Sequence, residues 1–203
     1  MIDTQIIIKL IQHIFLTYTA LLVSIIISIP LAVISIYYKK LAKVILLISN
    51  FGQSIPSFAV LALVVPLIGL GLQGAIIAIL IRAMLPIIKN TYTGLLEVDE
   101  RVIDYTRGMG LTRFEILWKV RFPNAVPEIF SGIKFAAIMA NSIAVIAALI
   151  GAPGLGTIIF TGLAQLNVEK LLLGAIPAML LAVFMEVTLS ILQDELTPVN
   201  LKS

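Results

Sequence analysis

The sequence predicts an all-α polytopic membrane helix bundle with five transmembrane helices and its N-terminus outside. Three observations predict it. Of the 203 residues, 60% are hydrophobic and only 12% are charged, against about half and about a quarter in a soluble domain. The mean hydropathy is +1.11, and the apolar residues gather into stretches of the roughly 20 residues a bilayer-spanning helix needs. Ten of the 14 lysines and arginines fall on one side of the expected spans, the asymmetry that sets membrane orientation. The long apolar runs mark helices, because a membrane barrel would show alternating segments of about ten residues.

The first span is expected over His13–Tyr38. The second covers Val44–Leu67, interrupted near Asn50–Pro56. The third covers Leu72–Tyr92, the fourth Ala125–Ile150 and the fifth Leu171–Leu192. Lys39, Lys40 and Lys43 follow the first span. Lys89, Arg101, Arg107, Arg113, Lys119 and Arg121 lie between the third and fourth, and Lys202 lies in the tail. The positive-inside rule puts these ten in the cytoplasm. Lys9 and Lys170 fall on the opposite side, while Arg82 and Lys134 lie within spans. The first span is read as a membrane helix. Its apolar stretch is longer than a signal-peptide core, no A-x-A site follows it, and its basic cluster comes after it. The chain is one transmembrane domain, 1–203, since the longest polar segment is too short for an independent core.

Composition also excludes some functions. The net charge of +3 is too modest to signal nucleic acid as a partner, given its placement beside membrane spans. There is no cysteine, and His13 is the only histidine. No disulfide, thiolate metal site or histidine-based triad is expected, and no cofactor. Gly69-Leu-Gly-Leu-Gln-Gly74 matches a dinucleotide-binding pattern, but that pattern needs a preceding strand. Between two membrane spans it reads as a tight external turn. Gly151–Gly156 is also glycine-rich but lacks the G-K-[ST] of a phosphate loop.

The cytoplasmic segment 97–124 is the most informative stretch. Asp99–Arg107 reads as a short helix. Gly108 and Gly110 allow a turn, because glycine accepts positive φ at little cost. Thr112 and Glu115 form a capping box that starts a second helix, and Pro123 marks the return to the membrane. The resulting two-helix knob carries Val102, Ile103, Phe114, Leu117 and Trp118 among its charges. Such a knob suits either an amphipathic helix lying on headgroups or docking on a partner protein.

This segment resembles the loop motif of ABC importer permeases, E-A-A-x3-G-x9-I-x-L-P. Asp104-Tyr105-Thr106 stands at the first triplet, Gly110 follows after three residues, and Val120-Arg121-Phe122-Pro123 follows nine later. The spacing, the glycine and the proline match, whereas the triplet departs in all three residues. Pro86–Leu95, Ile150–Leu163 and Gly174–Ala178 are similar to the branch that takes up glycine betaine, carnitine, choline and proline. Pro153 stands where that branch usually has glycine. Methionine permeases with five spans are the nearest competitor.

The resemblance implies a type I importer permease that does not itself hydrolyse ATP. Its implied partners are cytoplasmic ATP-binding cassette subunits, a second permease copy (the same chain or a related one), an external or periplasmic substrate-binding protein and membrane lipid. It implies that Asp104, Tyr105, Thr106, Gly108, Gly110, Val120, Phe122 and Pro123 belong to the loop that docks on the ATPase.

The remaining polar positions lie within spans. Ser54 with Pro56, and Asn141 with Ser142, are read either as interhelical hydrogen-bonding groups or as lining of a translocation path. Arg82, deep in the third span, needs protein or water around it. Glu186 is its candidate partner, with separate solvation of the two as the alternative. Two other classes fit less well. A structural subunit without a path would have no reason to carry the loop spacing. A membrane enzyme would need convergent acids, histidines or metal ligands.

Overall fold

The computed structural model describes residues 2–198, and within them every regular element is helical. Helix α1 runs Ile2–Tyr37, α2 Lys39–Ser54, α3 Ser57–Ile68 and α4 Leu72–Leu96. Helix α5 runs Glu100–Gly108, α6 Arg113–Ile116 and α7 Phe122–Ile146. Helix α8 runs Leu155–Ala164 and α9 Val168–Leu196. Four segments are long and apolar enough to cross a bilayer, and the pair α2 and α3 forms a fifth if counted as one broken span. Lys202 lies outside the described residues.

The second span differs most from the sequence reading. It is two helices bent by 107° at Ile55–Pro56. Pro56 cannot continue the backbone ladder of α2 and disfavours a helical residue before it. Ile55 is accordingly extended, and Pro56 stands at the N-cap of α3. Helix α2 also begins at Lys39, five residues before the expected start, so its first turn carries the basic cluster.

Helix α4 forms the centre of the bundle, packed between α1 and α7. The contact surfaces are built from small residues. Ala20, Ala75, Ala78, Ala136 and Ala140 are fully buried, which lets membrane helices approach closely. At Gly132 of α7, an added Cβ would lie 3.0 Å from the Pro86 carbonyl oxygen of α4. Helix α1 presents a matching stripe of small polar groups, with His13, Thr17, Ser24, Ser28 and Ser35 all buried. Ser24 and Ser35 donate their hydroxyls to carbonyls one turn back, both at 2.7 Å. That arrangement lets serine sit inside a membrane helix without an unpaired donor.

One core cluster gathers Leu16, Leu61, Ile79 and Ile143; the other gathers Ile87, Leu95, Leu117, Ile133 and Met185. Helix α9 buries only Gly174, Ala178, Leu181 and Met185. That single stripe leaves Met179, Leu180, Val183, Phe184 and Val187 exposed, as expected for a helix facing hydrocarbon or another subunit.

Helix α8 was not expected. The glycine-rich segment read as an external loop contains ten helical residues, too few to span, which pack on α9. The turn between α3 and α4 is tight, as its glycines suggested. Gly69 and Gly71 have φ of +99° and +89°, and the Gly71 N–H donates to the Ile150 carbonyl at 2.8 Å.

Candidate functional site

The basic end of the bundle carries the two-helix knob. Asp99 caps α5, its carboxylate accepting from the Arg101 backbone N–H at 2.9 Å. The Arg101 guanidinium and backbone N–H together hold the Asp99 carboxyl below its ordinary value. Ile103 turns inward and is buried. Helix α5 ends at Gly108, which has an ordinary helical backbone, while Gly110 makes the turn at φ +86°. The expectation that both glycines make the turn therefore narrows to Gly110. No atom lies within 4 Å of where its Cβ would be, so the requirement is left-handed backbone and not space.

The capping box is present. The Glu115 N–H donates to Thr112 Oγ1 at 3.3 Å, and the Thr112 N–H donates to Glu115 Oε2 at 3.0 Å. These bonds, with the Lys119 ammonium 3.0 Å from Glu115, pull the Glu115 carboxyl down to about 2, the Thr112 backbone N–H contributing most.

The second knob helix is not separate from the fourth span. Residues Arg113–Ile150 form one continuous rod. Pro123, read as the return to the membrane, stands at the start of α7, directly after a π-helical turn over Leu117–Arg121. The Phe122 N–H reaches back five residues to the Leu117 carbonyl, and Asn124 Nδ2 donates to the Val120 carbonyl at 2.7 Å. Pro123 follows directly as the second residue of α7. Arg121 Nη1 donates to the Leu95 carbonyl at 2.7 Å, tying the rod to the end of α4.

The knob is two-faced. Ile103, Ile116 and Leu117 point into the bundle, while Tyr105, Met109 and Phe114 stand out at 73%, 78% and 67% exposure. Asp104 is exposed and pairs with Arg107 at 3.0 Å. Thr106 donates to the Ile103 carbonyl at 2.9 Å. Val120 is half-buried, and Phe122 stacks on Trp118 with ring centroids 5.0 Å apart. This shape presents an apolar tip on a braced base.

The polar positions within the spans separate. Asn141 is buried; its side chain meets His13 Nε2 at 3.1 Å and donates to the Ala178 carbonyl at 3.1 Å. It joins α1, α7 and α9, which is the interhelical role. Ser54 and Ser142 are exposed, their hydroxyls turned to the Phe51 and Ile138 carbonyls of their own helices. Ser142 lies on a stripe of α7 that also exposes Phe135 and Ile138.

Arg82 and Glu186 are not partners. Arg82 Nη1 donates to the carbonyls of Gly52 and Ile55, at 2.6 and 3.0 Å. Glu186 instead lies 3.8 Å from Lys134 of α7, whose ammonium also reaches Ser190 Oγ at 3.4 Å. Depth does not single out Lys134 over Arg82, which lies ten residues from the basic end of its expected span. Lys134 and Glu186 lie nine and six residues from the basic ends of their expected spans.

A multi-span helical bundle with a two-helix knob at its basic end defines a multi-pass integral membrane protein. The chain belongs to the family of binding-protein-dependent transport system inner membrane components, which matches residues 24–198. It is 37% identical to the carnitine transport permease protein OpuCB of Listeria monocytogenes, over 92% of this chain and 86% of the relative. It is 35% identical to the choline transport system permease protein OpuBB of Bacillus subtilis strain 168, over 96% and 89% of the two chains. The osmoprotectant import permease protein OsmW of Salmonella typhimurium is also 35% identical, over 94% and 91%. Among solved structures, two inward-facing forms of the MetNI methionine ABC transporter contain a similar chain. One gives a TM-score of 0.87 at 21% identity over 97% of this chain and 98% of that one. The other gives 0.82 at 20% identity over 95% and 96%.

Proposed function

We propose that this chain forms the translocation path of an ATP-driven importer for small zwitterionic or quaternary-ammonium osmoprotectants such as glycine betaine, carnitine, choline or proline. The observation that carries the substrate class is the near full-length similarity to permeases named for carnitine, choline and osmoprotectant transport. The structural likeness to the methionine transporter, at 20–21% identity, bears on fold and not on substrate.

ATP is hydrolysed by separate cassette subunits, which receive the exposed Tyr105–Phe114 tip. Closure of those subunits displaces the knob, and the continuous rod carries the displacement into the membrane. A binding protein delivers substrate to the outer face. A second permease copy completes the path, covering exposed apolar faces of the kind α7 and α9 present. The exposed Ser54 and the Ser142 stripe are the proposed lining, while Asn141 holds the bundle together behind it. Such a movement is a rigid-body switch between inward- and outward-open states.

The test is uptake of labelled glycine betaine by the reconstituted transporter, competed with choline, carnitine and methionine. Competition by the quaternary amines is expected. Inhibition by methionine alone would move the chain to the methionine class.

A further inference from the structure

Between the knob and the joint of α1 and α2 lies a cavity of about 640 Å³. Its charged lining is Lys39, Arg107, Arg113, Arg121 and Glu100, four cations against one carboxylate. Two of the cations are partly neutralised: Arg107 pairs with Asp104, and Arg121 lies 4.0 Å from Glu100. Lys39 and Arg113 have no ion-pair partner among the described residues. Ile36, Ile103 and Ile116 add an apolar floor. An unneutralised cationic rim over an apolar floor is a binding site for an amphiphilic anion.

The position of the cavity identifies the source of that anion. Ile36 and Tyr37 are the last residues of a membrane-spanning helix and Lys39 opens the next. Tyr37 and Tyr38 are exposed there, as tyrosines are at headgroup depth. The apolar tip side chains Tyr105, Met109 and Phe114 take no part in the lining, whereas Arg107 and Arg113 of the same segment do, so the cavity borders the surface proposed to meet the ATPase without including its apolar tip. We infer that the cavity holds the phosphate of an anionic phospholipid from the inner leaflet, gripped between Lys39 of α2 and Arg113 of α6. The lipid joins the knob to the first two spans, so its binding stabilises the knob's position.

The test uses the assembled transporter, purified in detergent, with dioleoylphosphatidylglycerol retained or added back and counted by native mass spectrometry. The Lys39→Gln/Arg113→Gln variant is compared with Lys40→Gln/Lys43→Gln, which removes the same charge outside the cavity. Thermal melting verifies that both variants fold. The cavity variant is expected to bind the lipid about tenfold more weakly, with the control near wild type. Equal loss in both variants would reduce the effect to general surface charge and overturn the site. Displacement of the lipid by millimolar glycerol 3-phosphate would reassign the cavity to a soluble anion. Exclusion of the lipid whenever the ATPase is bound would give the cavity to an acidic segment of that partner.

Discussion

Arg82 Nη1 donates to the carbonyl oxygen of Gly52 at 2.6 Å, and this bond closes the end of a broken helix. The same nitrogen reaches the Ile55 carbonyl at 3.0 Å, so one buried guanidinium from α4 satisfies the chain on either side of Ser54. The last carbonyls of a helix have no partner within it and carry its negative dipole end, which is where a cation is stabilised. Arg82→Ala is expected to cost about 1.5–3 kcal/mol, the range for bonds to charged groups. Arg82→Lys should recover part of it. Thermal unfolding in detergent measures both. In a double-mutant cycle with Glu186→Ala the losses should add, because the two residues do not touch. A coupling energy above about 1 kcal/mol would restore the direct pair.

A different cycle should show coupling. Lys134 and Glu186 approach within 3.8 Å between α7 and α9. Removing one partner leaves a lone charge within a membrane span, which is expensive. Lys134→Met and Glu186→Gln should each impair stability or uptake, with the double variant less impaired than the sum by about 1 kcal/mol. Strict additivity would mean that each side chain reaches water alone.

Arg82 and Lys134 show how far the sequence could be read. Hydropathy places both inside spans, because a charge among twenty apolar residues is conspicuous. It does not choose their partners. Arg82 is satisfied by backbone oxygens, which leave no trace in residue type; Pro56 has no N–H to offer Gly52, whose carbonyl accepts from the Ile55 N–H at 3.3 Å and from Arg82. The break itself was visible as Asn50–Pro56, although its 107° angle depends on how α4 grips α2. Helix α8 escaped for a related reason. A ten-residue, largely apolar stretch after a glycine cluster fits an external loop as well as a short helix, and packing on α9 decides between them. The knob was the most legible part, since caps, glycine and proline act locally. What the sequence did not show there is that the second knob helix runs on through a π-helical turn into the fourth span.

Gly110 offers a sharper test of the knob. With φ at +86° and open space around it, substitution should strain the backbone without steric clash. A left-handed backbone costs an ordinary side chain roughly 1–2 kcal/mol, and asparagine less. Gly110→Asp is expected to insert normally yet lose ATP-driven uptake while ATPase activity persists in reconstituted vesicles. Gly110→Asn should be milder than Gly110→Val. Near-normal uptake in the aspartate variant would separate this turn from coupling.

The capping box sets a pH expectation. The Glu115 carboxyl is held near 2 against its ordinary 4.5. A depressed carboxyl contributes stability that is full above the ordinary value and is lost as pH falls towards about 2. Acidification from pH 7 to 5 should therefore leave the cap intact. A carbon-13 titration of labelled Glu115 should show a midpoint well below 4.5. In Thr112→Val the backbone N–H remains but the hydroxyl is gone, so the midpoint should rise towards 4.5. An unshifted midpoint in the wild type would mean that the box does not form.

The absence of a joint at Pro123 has a mechanical consequence. At 1.5 Å per residue the helix from Arg113 to Ile150 is a strut roughly 57 Å long. Its far end is hooked to the external turn through Ile150 and Gly71 and, about two and a half turns earlier, to α1 through Asn141 and His13. A hinge between knob and span would dissipate a push as bending. A strut without one delivers the same stroke to the outer surface almost undiminished, so the mouth facing the binding protein would move in step with the surface facing the ATPase.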